Sequence, residues 1–262
     1  MSESAGNVVL ECAGDIATIT LSQPKKRNAL GERMWAQLSA CVTAANADET
    51  VKVIVIRGAG EHFAAGADIG EFEEVYRTRE RAAGYASTVA NAVEAVGTAV
   101  KPAIAQIRGA CLGGGVAIAL ACDIRIAAGS ARFGITPARL GLVYSLNDTK
   151  RLVDAVGAAK AKDMLFTGRI IDAPDAATIG LIDELVDDDT LERTVQEKCA
   201  AIAAASQWST RRTKQIVRLI LSGTARDTEE TRAWFLEAVE QPDFIEGRDA
   251  FLAKRKPNFP FR

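Results

Sequence analysis

The stretch Ile107-Arg-Gly-Ala-Cys-Leu-Gly-Gly-Gly-Val-Ala-Ile-Ala-Leu-Ala-Cys-Asp123 places three consecutive glycines between two apolar segments. The pattern predicts a strand at residues 103–107 and an apolar helix at residues 116–121. A helix start carries backbone N–H groups without a partner in the helix, and a partial positive charge. Glycine lets another molecule approach such donors closely. The glycine run therefore predicts a main-chain pocket for an anion or for an oxygen that gains negative charge.

A second run of small residues matches the first. Phe63-Ala-Ala-Gly-Ala-Asp-Ile69 follows the strand-like segment Val51-Lys-Val-Ile-Val-Ile-Arg-Gly58, again where a strand gives way to a helix. Either run alone is common in α/β proteins and predicts only a tight turn. Two such turns, about 45 residues apart, favour a function. Each can direct one N–H at a single oxygen, which would form an oxyanion hole from backbone.

The composition limits the class of protein. The chain has 262 residues, 48% of them hydrophobic and 25% charged, which is typical of one large domain or of a core with an appendage. The formal net charge of -2 gives no reason to expect nucleic acid or an anionic membrane as a partner. No apolar run approaches the ~20 residues that a membrane-spanning helix needs. The first residues lack the features of a signal peptide, so we expect a cytoplasmic protein.

Cysteine and histidine usage gives little support to thiol, triad or metal chemistry. The five cysteines are scattered without a C-x-x-C pair, so we expect neither disulfides nor a zinc site. Cys111 and Cys122 flank the glycine run, and buried reduced thiols are the expected state there. The single histidine, His62, is expected at the surface or the rim of the site. We expect no metal.

Strand and helix patterns alternate in the first half of the chain and predict an α/β core with buried parallel strands. Besides the elements named above, strands are predicted at residues 15–21, 51–56 and 124–127, and helices at 29–45 and 82–96. After residue 148 the patterns are almost all helical, with one short strand-like stretch at 182–186. The predicted helices are 148–156, 158–166, 175–179, 190–205, 209–221, 227–240 and 243–253. Their apolar faces predict an oligomer.

An ordered set of motifs resembles the crotonase superfamily, the enoyl-CoA hydratase/isomerase fold, along essentially the whole chain. The first three are Gln23-Pro-Lys-Lys-Arg-Asn-Ala-Leu30, Phe63-Ala-Ala-Gly-Ala-Asp-Ile69 and Gly109-Ala-Cys-Leu-Gly-Gly-Gly115. The later ones are Ala121-Cys-Asp-Ile-Arg-Ile-Ala127, Phe133-Gly-Ile-Thr-Pro-Ala-Arg-Leu-Gly141, Phe166-Thr-Gly168 and Phe251-Leu-Ala-Lys-Arg-Lys-Pro-Asn-Phe259. The resemblance implies a spiral of ββα and βαβ turns at residues 1–200, with an acyl-CoA pocket. It also implies a helical oligomerisation region at 201–262 that forms trimers or dimers of trimers.

The resemblance also implies a set of site residues. The backbone N–H groups of Ala67 and Gly114 would hold the thioester carbonyl of an acyl-CoA as it becomes an enolate. Positions that would hold coenzyme A, which is part of the substrate and not a separate cofactor, are Lys25, Lys26, Arg27, Ala29, Ala65, Asp68, Ile69 and, from a neighbouring subunit, Lys254.

The sequence departs from the hydratases of the superfamily at both catalytic glutamates. Those positions are Ala117 and Pro137 here, and neither side chain can move a proton. Decarboxylation of a malonyl-type thioester needs an enolate-stabilising site but no strong internal base. The segment around Tyr144 is similar to the methylmalonyl-CoA decarboxylase branch, although that branch has a histidine and a glutamate at the positions of Ala67 and Ala117. Tyr144 would orient the substrate carboxylate, protonate the enolate, or only line the pocket.

Two other functions remain open from the sequence. A hydratase or isomerase would need a displaced acid, for which Asp148, Glu71, Glu74 and Asp68 are candidates, although Asp68 is also a predicted helix cap. A non-catalytic acyl-CoA-binding protein would keep the pocket without the acids.

Overall fold

The structure of the protein is a computed structural model that describes residues 6–261. Residues 1–5, on which the expectation about a signal peptide rests, lie outside this range, as does residue 262. The strands are β1 (Asn7–Ala13), β2 (Ile16–Ser22), β3 (Val53–Gly58), β4 (Ala103–Ile107), β5 (Ala110–Leu112), β6 (Ile124–Ala128), β7 (Arg132–Gly134), β8 (Ile170–Asp172) and β9 (Glu184–Val186). The helices are α1 (Glu32–Ala47), α2 (Phe72–Val75), α3 (Arg79–Gly97), α4 (Gly114–Ala121), α5 (Leu146–Thr167), α6 (Ala173–Thr178), α7 (Leu191–Ala203), α8 (Gln207–Leu221), α9 (Glu229–Glu240) and α10 (Pro242–Leu252).

The larger sheet contains six strands in the order β1-β2-β3-β4-β6-β9. All neighbouring pairs are parallel except β1 and β2, which form an antiparallel hairpin. The residues of β4 are all buried, as are those at 53–56 of β3, because helices cover both faces of the sheet. The predicted α/β class with buried parallel strands is confirmed. The hairpin strand β1 was not predicted, and most of its residues are exposed.

A second sheet contains the three short strands β5-β7-β8. The chain passes from β4 in the large sheet to β5 in the small one and then to α4, and it repeats this path through β6, β7 and α5. This repetition makes the chain a spiral of strand-strand-helix turns. Strands of three residues give no periodic signal, which is why the sequence did not predict the second sheet.

Helices cover the large sheet on both sides. One buried cluster joins α1, α3 and α4 to the sheet, and a second packs Leu191, Val195 and Cys199 of α7 against Val53 and Ile104 of the sheet. The helix α5 is interrupted at Gly157, whose φ of 74° is not helical, so the two helices predicted for this region are both present. Within residues 6–261, none of the helices has the length and apolar character that a membrane span requires.

The helices α8, α9 and α10 follow the last strand. The Lys214 ammonium on α8 donates to an Asp123 carboxylate oxygen at 2.7 Å and to the Lys101 carbonyl at 2.9 Å, which anchors α8 to the core. The predicted boundary at residues 200 and 201 falls within α7, and the division into two regions stays a prediction.

Candidate functional site

The two small-residue turns lie side by side because hydrogen bonds join their flanking segments. The Ala64 N–H donates to the Ala110 carbonyl, and the Leu112 N–H donates to the Ala64 carbonyl, both at 2.9 Å. On its other side, the first turn forms a bridge with Leu30. The Leu30 N–H donates to the Gly66 carbonyl at 2.7 Å, and the Leu30 carbonyl accepts from the Asp68 N–H at 2.9 Å. Successive backbone groups of an extended segment point in opposite directions. The N–H of Ala67 therefore points away from Leu30.

The second turn presents a matching donor. Gly113 has a φ of 49°, and its N–H donates to the Gly134 carbonyl at 2.8 Å. Gly114 is the first residue of α4, so its N–H has no acceptor within the helix. A Cβ atom on Gly66 would lie 3.2 Å from the Gly114 nitrogen, and one on Gly114 would lie 3.7 Å from the Ala67 nitrogen. Neither amide, Ala67 or Gly114, donates to any group in the described part of the chain.

Close approach requires glycine at two positions of the site. Gly66 has a φ of 96°, and a Cβ there would lie only 2.8 Å from the Leu112 carbonyl oxygen. A Cβ on Gly114 would lie 2.9 Å from two ring atoms of Trp35. A side chain on Gly66 would therefore push the two turns apart, whereas one on Gly114 would press against the Trp35 ring.

Tyr144 lies beside the second turn. Its hydroxyl donates to the Gly113 carbonyl at 3.2 Å, and its ring packs against the hydrophobic core. Burial, together with the nearby Asp148 carboxylate, raises the pKa of the Tyr144 phenol well above its ordinary value. The phenol is therefore neutral at physiological pH and carries a proton next to Gly114.

No ionisable side chain stands at positions 117 and 137, to which the family resemblance assigns the glutamates of the hydratases. Ala117 is buried on α4, and Pro137 begins the short helical turn Pro137–Leu140. The nearby surface cation Arg139 packs its side chain against Gly168.

The candidate displaced acids all bind other protein groups. The Asp148 carboxylate accepts from the Ser145 hydroxyl at 2.6 Å and lies 3.5 Å from Arg151. The Glu71 carboxylate accepts from the Glu32 N–H at 2.7 Å and so caps α1. Glu74 is exposed and pairs with Arg77 at 3.5 Å.

Asp68 is the predicted helix cap, and the structure confirms it. One carboxylate oxygen accepts from the Gly70 N–H at 3.0 Å, and the other accepts from Lys26 at 2.7 Å and from Gln23 at 3.2 Å. Burial alone would raise the pKa of this carboxyl group, but the hydrogen bonds from Lys26, Gly70 and Gln23 outweigh it and lower the pKa. Asp68 is ionised, and it ties the Gln23–Lys26 turn to the first small-residue turn.

The whole chain has close relatives among known proteins. Residues 11–261 match the model of the enoyl-CoA hydratase/isomerase family. A crotonyl-CoA hydratase from Syntrophomonas wolfei is 34% identical over 261 residues, which cover 97% of each chain.

The chain belongs to the enoyl-CoA hydratase/isomerase family. The structure of an enoyl-CoA hydratase/isomerase family protein from Hyphomonas neptunium superimposes with a TM-score of 0.95 at 45% identity, covering 97% of this chain and 98% of that one. An enoyl-CoA hydratase/carnithine racemase from Magnetospirillum magneticum superimposes with a TM-score of 0.94 at 34% identity, covering 99% and 97%. These matches confirm the crotonase fold and make the chain an acyl-CoA enzyme of this family.

The positions that the family resemblance assigns to coenzyme A fall mostly on two joined turns. Lys25, Lys26 and Arg27 are exposed on the turn that begins with Pro24–Lys26. The Arg27 carbonyl accepts from the Ala65 N–H at 2.9 Å, which places this turn next to Ala65–Ile69. Ile69 is exposed. Together these residues form one surface that leads to Ala67.

Two other positions that the resemblance assigns to coenzyme A do not belong to this exposed surface. Ala29 is buried, with 8% of its surface exposed. Lys254 lies at the other end of the chain, in the turn that closes α10, where its N–H donates to the Phe251 carbonyl at 3.2 Å. Its role toward a neighbouring subunit stays a prediction.

Asn28 holds the site together, and the sequence did not predict this role. The side chain is fully buried; it accepts from the Gln23 N–H at 2.9 Å and donates to the carbonyls of Ala59 at 2.9 Å and His62 at 2.6 Å. The partly buried His62 in turn accepts from the Ala110 N–H through Nδ1 at 3.1 Å. The φ of Asn28 is 56°, a conformation that asparagine tolerates better than most residues.

A cleft of about 730 Å³ lies elsewhere, between α4, α5 and α8. Four of the five basic side chains that line it pair with carboxylates: Arg125 with Asp183, Lys150 with Asp154, Arg151 with Glu94 and Lys214 with Asp123. Burial raises the pKa of the one thiol in the cleft, Cys122, to about 12, so it is not a nucleophile. The paired amides of Ala67 and Gly114 are the better candidate for the enzyme's chemistry.

Replacing Asp68 with asparagine tests how the ion pair between Asp68 and Lys26 joins the Gln23–Lys26 turn to the first small-residue turn. We expect Asp68→Asn to lower the free energy of unfolding by about 1 kcal/mol at neutral pH, because the ion pair between Asp68 and Lys26 is lost. The pKa of Asp68 is lowered from 3.8 in the folded state, so the stabilisation is complete above that pH and is lost as the pH falls below it. Denaturation of both proteins across the acid range measures this. A constant difference down to the lowest pH would contradict the prediction.

Proposed function

We propose that this enzyme polarises the thioester carbonyl of an acyl-CoA between the N–H groups of Ala67 and Gly114, and that it decarboxylates a malonyl-type acyl-CoA. One observation supports this most. Two neighbouring backbone N–H groups have no acceptor among residues 6–261, and the residues at the two glutamate positions of the hydratases, Ala117 and Pro137, carry no acid.

The donors act where charge develops. When the bond to the substrate carboxylate breaks, its electron pair moves toward the thioester carbonyl and carbon dioxide leaves. The carbonyl oxygen gains negative charge between the two N–H groups, which are held in place before the reaction begins. The enolate carbon then takes up a proton. The neutral Tyr144 phenol, bonded to the Gly113 carbonyl, either donates this proton or orients the carboxylate that leaves.

Coenzyme A would lie along the surface between the Pro24–Lys26 turn and Ile69. Lys25 and Arg27 supply exposed positive charge for its phosphates, and Lys26 does so while it pairs with Asp68. The backbone of Ala29, Ala65 and Asp68 would face the pantetheine and adenosine groups. Lys254 would reach the same ligand from a neighbouring subunit.

A panel of acyl-CoA thioesters tests the proposal. The enzyme is incubated with malonyl, methylmalonyl, enoyl and 3-hydroxyacyl thioesters, and products are followed by mass spectrometry. We expect loss of carbon dioxide from a malonyl-type thioester and no addition of water to an enoyl-CoA. Tyr144→Phe should slow the reaction, with little change in substrate affinity. Hydration of an enoyl-CoA without decarboxylation would overturn the proposal.

Hydration is the second candidate, because a relative over the full chain is named a crotonyl-CoA hydratase. It would require Asp148 or Glu71 to leave the groups that they bind here. If the panel shows hydration, Asp148→Ala or Glu71→Ala should abolish it, whereas both should spare decarboxylation. Tight binding of acyl-CoA without turnover of any thioester would indicate a binding protein.

We also propose that the protein forms a homotrimer or a dimer of trimers. Large apolar side chains on the last helices are exposed in the single chain, including Phe235 at 76%, Phe251 at 83% and Leu252 at 73%.

Light scattering after size-exclusion chromatography should give the mass of three or six chains. The double variant Phe235→Asp and Phe251→Asp should shift the protein toward the monomer, because a buried unpaired charge is costly. Val9→Asp, at an exposed position of the edge strand β1, is the control and should leave the assembly unchanged. A monomeric wild-type protein would contradict the proposal.

A further inference from the structure

Four aromatic side chains form a continuous set that runs from the second turn to the surface. Trp35 of α1 lies against Gly114, and Tyr85 of α3 lies near Trp35. The Tyr85 and Tyr76 rings meet edge to face at 5.8 Å, and the Tyr76 and Phe72 rings meet edge to face at 5.0 Å. Phe72 and Tyr76 directly follow the turn that carries Ala67. The set therefore reaches from Gly114 of the second turn to the segment that follows the first turn in sequence.

The inner end of this set is buried in the core. Trp35 is fully buried and Tyr85 is 4% exposed, whereas Tyr76 at the outer end is 40% exposed. Two atoms of the indole ring would lie 2.9 Å from a Cβ on Gly114, so the ring edge reaches the residue that carries one of the donors. Protein interiors are close-packed, and a group that fills such a position excludes another.

The indole acts here through its volume. Its Nε1–H lies near the Tyr85 phenol, but it has no hydrogen-bond acceptor within bonding geometry in the described part of the chain. A side chain held by packing alone can be shortened without breaking a polar network. Its removal should therefore open space beside Gly114.

We infer that Trp35 and Tyr85 close the inner end of the acyl subsite and restrict the enzyme to short acyl groups. This inference rests on the proposed function, because the acyl chain is placed by the thioester oxygen between Ala67 and Gly114. A short acyl group ends before the indole, and a long one would have to displace Trp35 or Tyr85.

Binding of two saturated thioesters tests the inference without any turnover. Calorimetry with the wild-type protein should give a Kd for octanoyl-CoA at least about tenfold weaker than for butyryl-CoA. Trp35→Ala should tighten octanoyl-CoA about tenfold and change butyryl-CoA little. Met34→Ala is the matched control, because Met34 is the adjacent buried residue of α1 and faces Gly6; it should leave the ratio of the two Kd values unchanged.

The outcomes separate the inference from the proposed function. Equal affinity of the wild-type protein for both thioesters would overturn the inference alone. Failure to bind all three of butyryl-CoA, octanoyl-CoA and coenzyme A would overturn the proposed function as well. If Trp35→Ala does not fold, Tyr85→Ala, at the other residue that closes the inner end, provides a second test. It should tighten octanoyl-CoA in the same direction, and an unchanged ratio in that variant would contradict the inference.

Discussion

Replacing Gly114 by proline is expected to lower kcat by about a hundredfold to a thousandfold, because it removes one of the two N–H groups that would face the thioester oxygen. Proline is tolerated at the first position of a helix, which Gly114 occupies in α4. The backbone should therefore keep its path while the donor disappears. The rate is measured on the thioester that the product panel identifies.

Gly114→Ala is the matched control for this variant. It keeps the N–H but adds a Cβ that would lie 2.9 Å from the Trp35 ring, a contact that proline also makes. The ratio of the two rates therefore isolates the donor from the crowding. Equal losses in Gly114→Pro and Gly114→Ala would show that the N–H does not contribute.

Replacing Asn28 by leucine is expected to lower the free energy of unfolding by about 3 kcal/mol. The buried amide makes three hydrogen bonds, and leucine would leave the Gln23 N–H and the carbonyls of Ala59 and His62 without partners. Leucine also fits the φ of 56° poorly. Urea denaturation followed by circular dichroism measures the change.

Asn28→Asp separates the contribution of the amide oxygen of Asn28, which accepts one hydrogen bond, from that of its NH2 group, which donates two. Aspartate keeps the oxygen that accepts from Gln23 and loses the two N–H bonds to the carbonyls, so it should still destabilise the protein while keeping the left-handed turn. A leucine variant as stable as the wild type would show that water replaces the lost bonds.

The strong periodic elements of this chain could be predicted from its sequence, and the short or non-local ones could not. The buried runs of β3 and β4, the interruption at Gly157 and the Asp68 cap all have local signals, and each lies where it was expected. The three-residue strands of the second sheet have no such signal, because their stability comes from partners distant in sequence.

In the candidate site, too, features with a local sequence signal could be predicted and features that depend on distant segments could not. The glycine run and the second small-residue turn mark both donor positions in the sequence. Their convergence depends on the bridge between Ala64 and Cys111, which no local pattern encodes. Asn28 was missed for a related reason, since one polar residue in a turn reveals its burial only when the segments around it are in place.

The bridge at Ala64 has a consequence for how such an enzyme changes over time. In the proposed reaction, carbonyl polarisation would be supplied by main-chain atoms that the bridge keeps in position, whatever side chains surround them. The residues at 117, 137 and 144 can then be exchanged without dismantling that arrangement. Under the proposed function, reaction type and thioester activation would be separable properties of a single scaffold, and substitutions at a few positions would redirect the fate of the intermediate that the main chain stabilises.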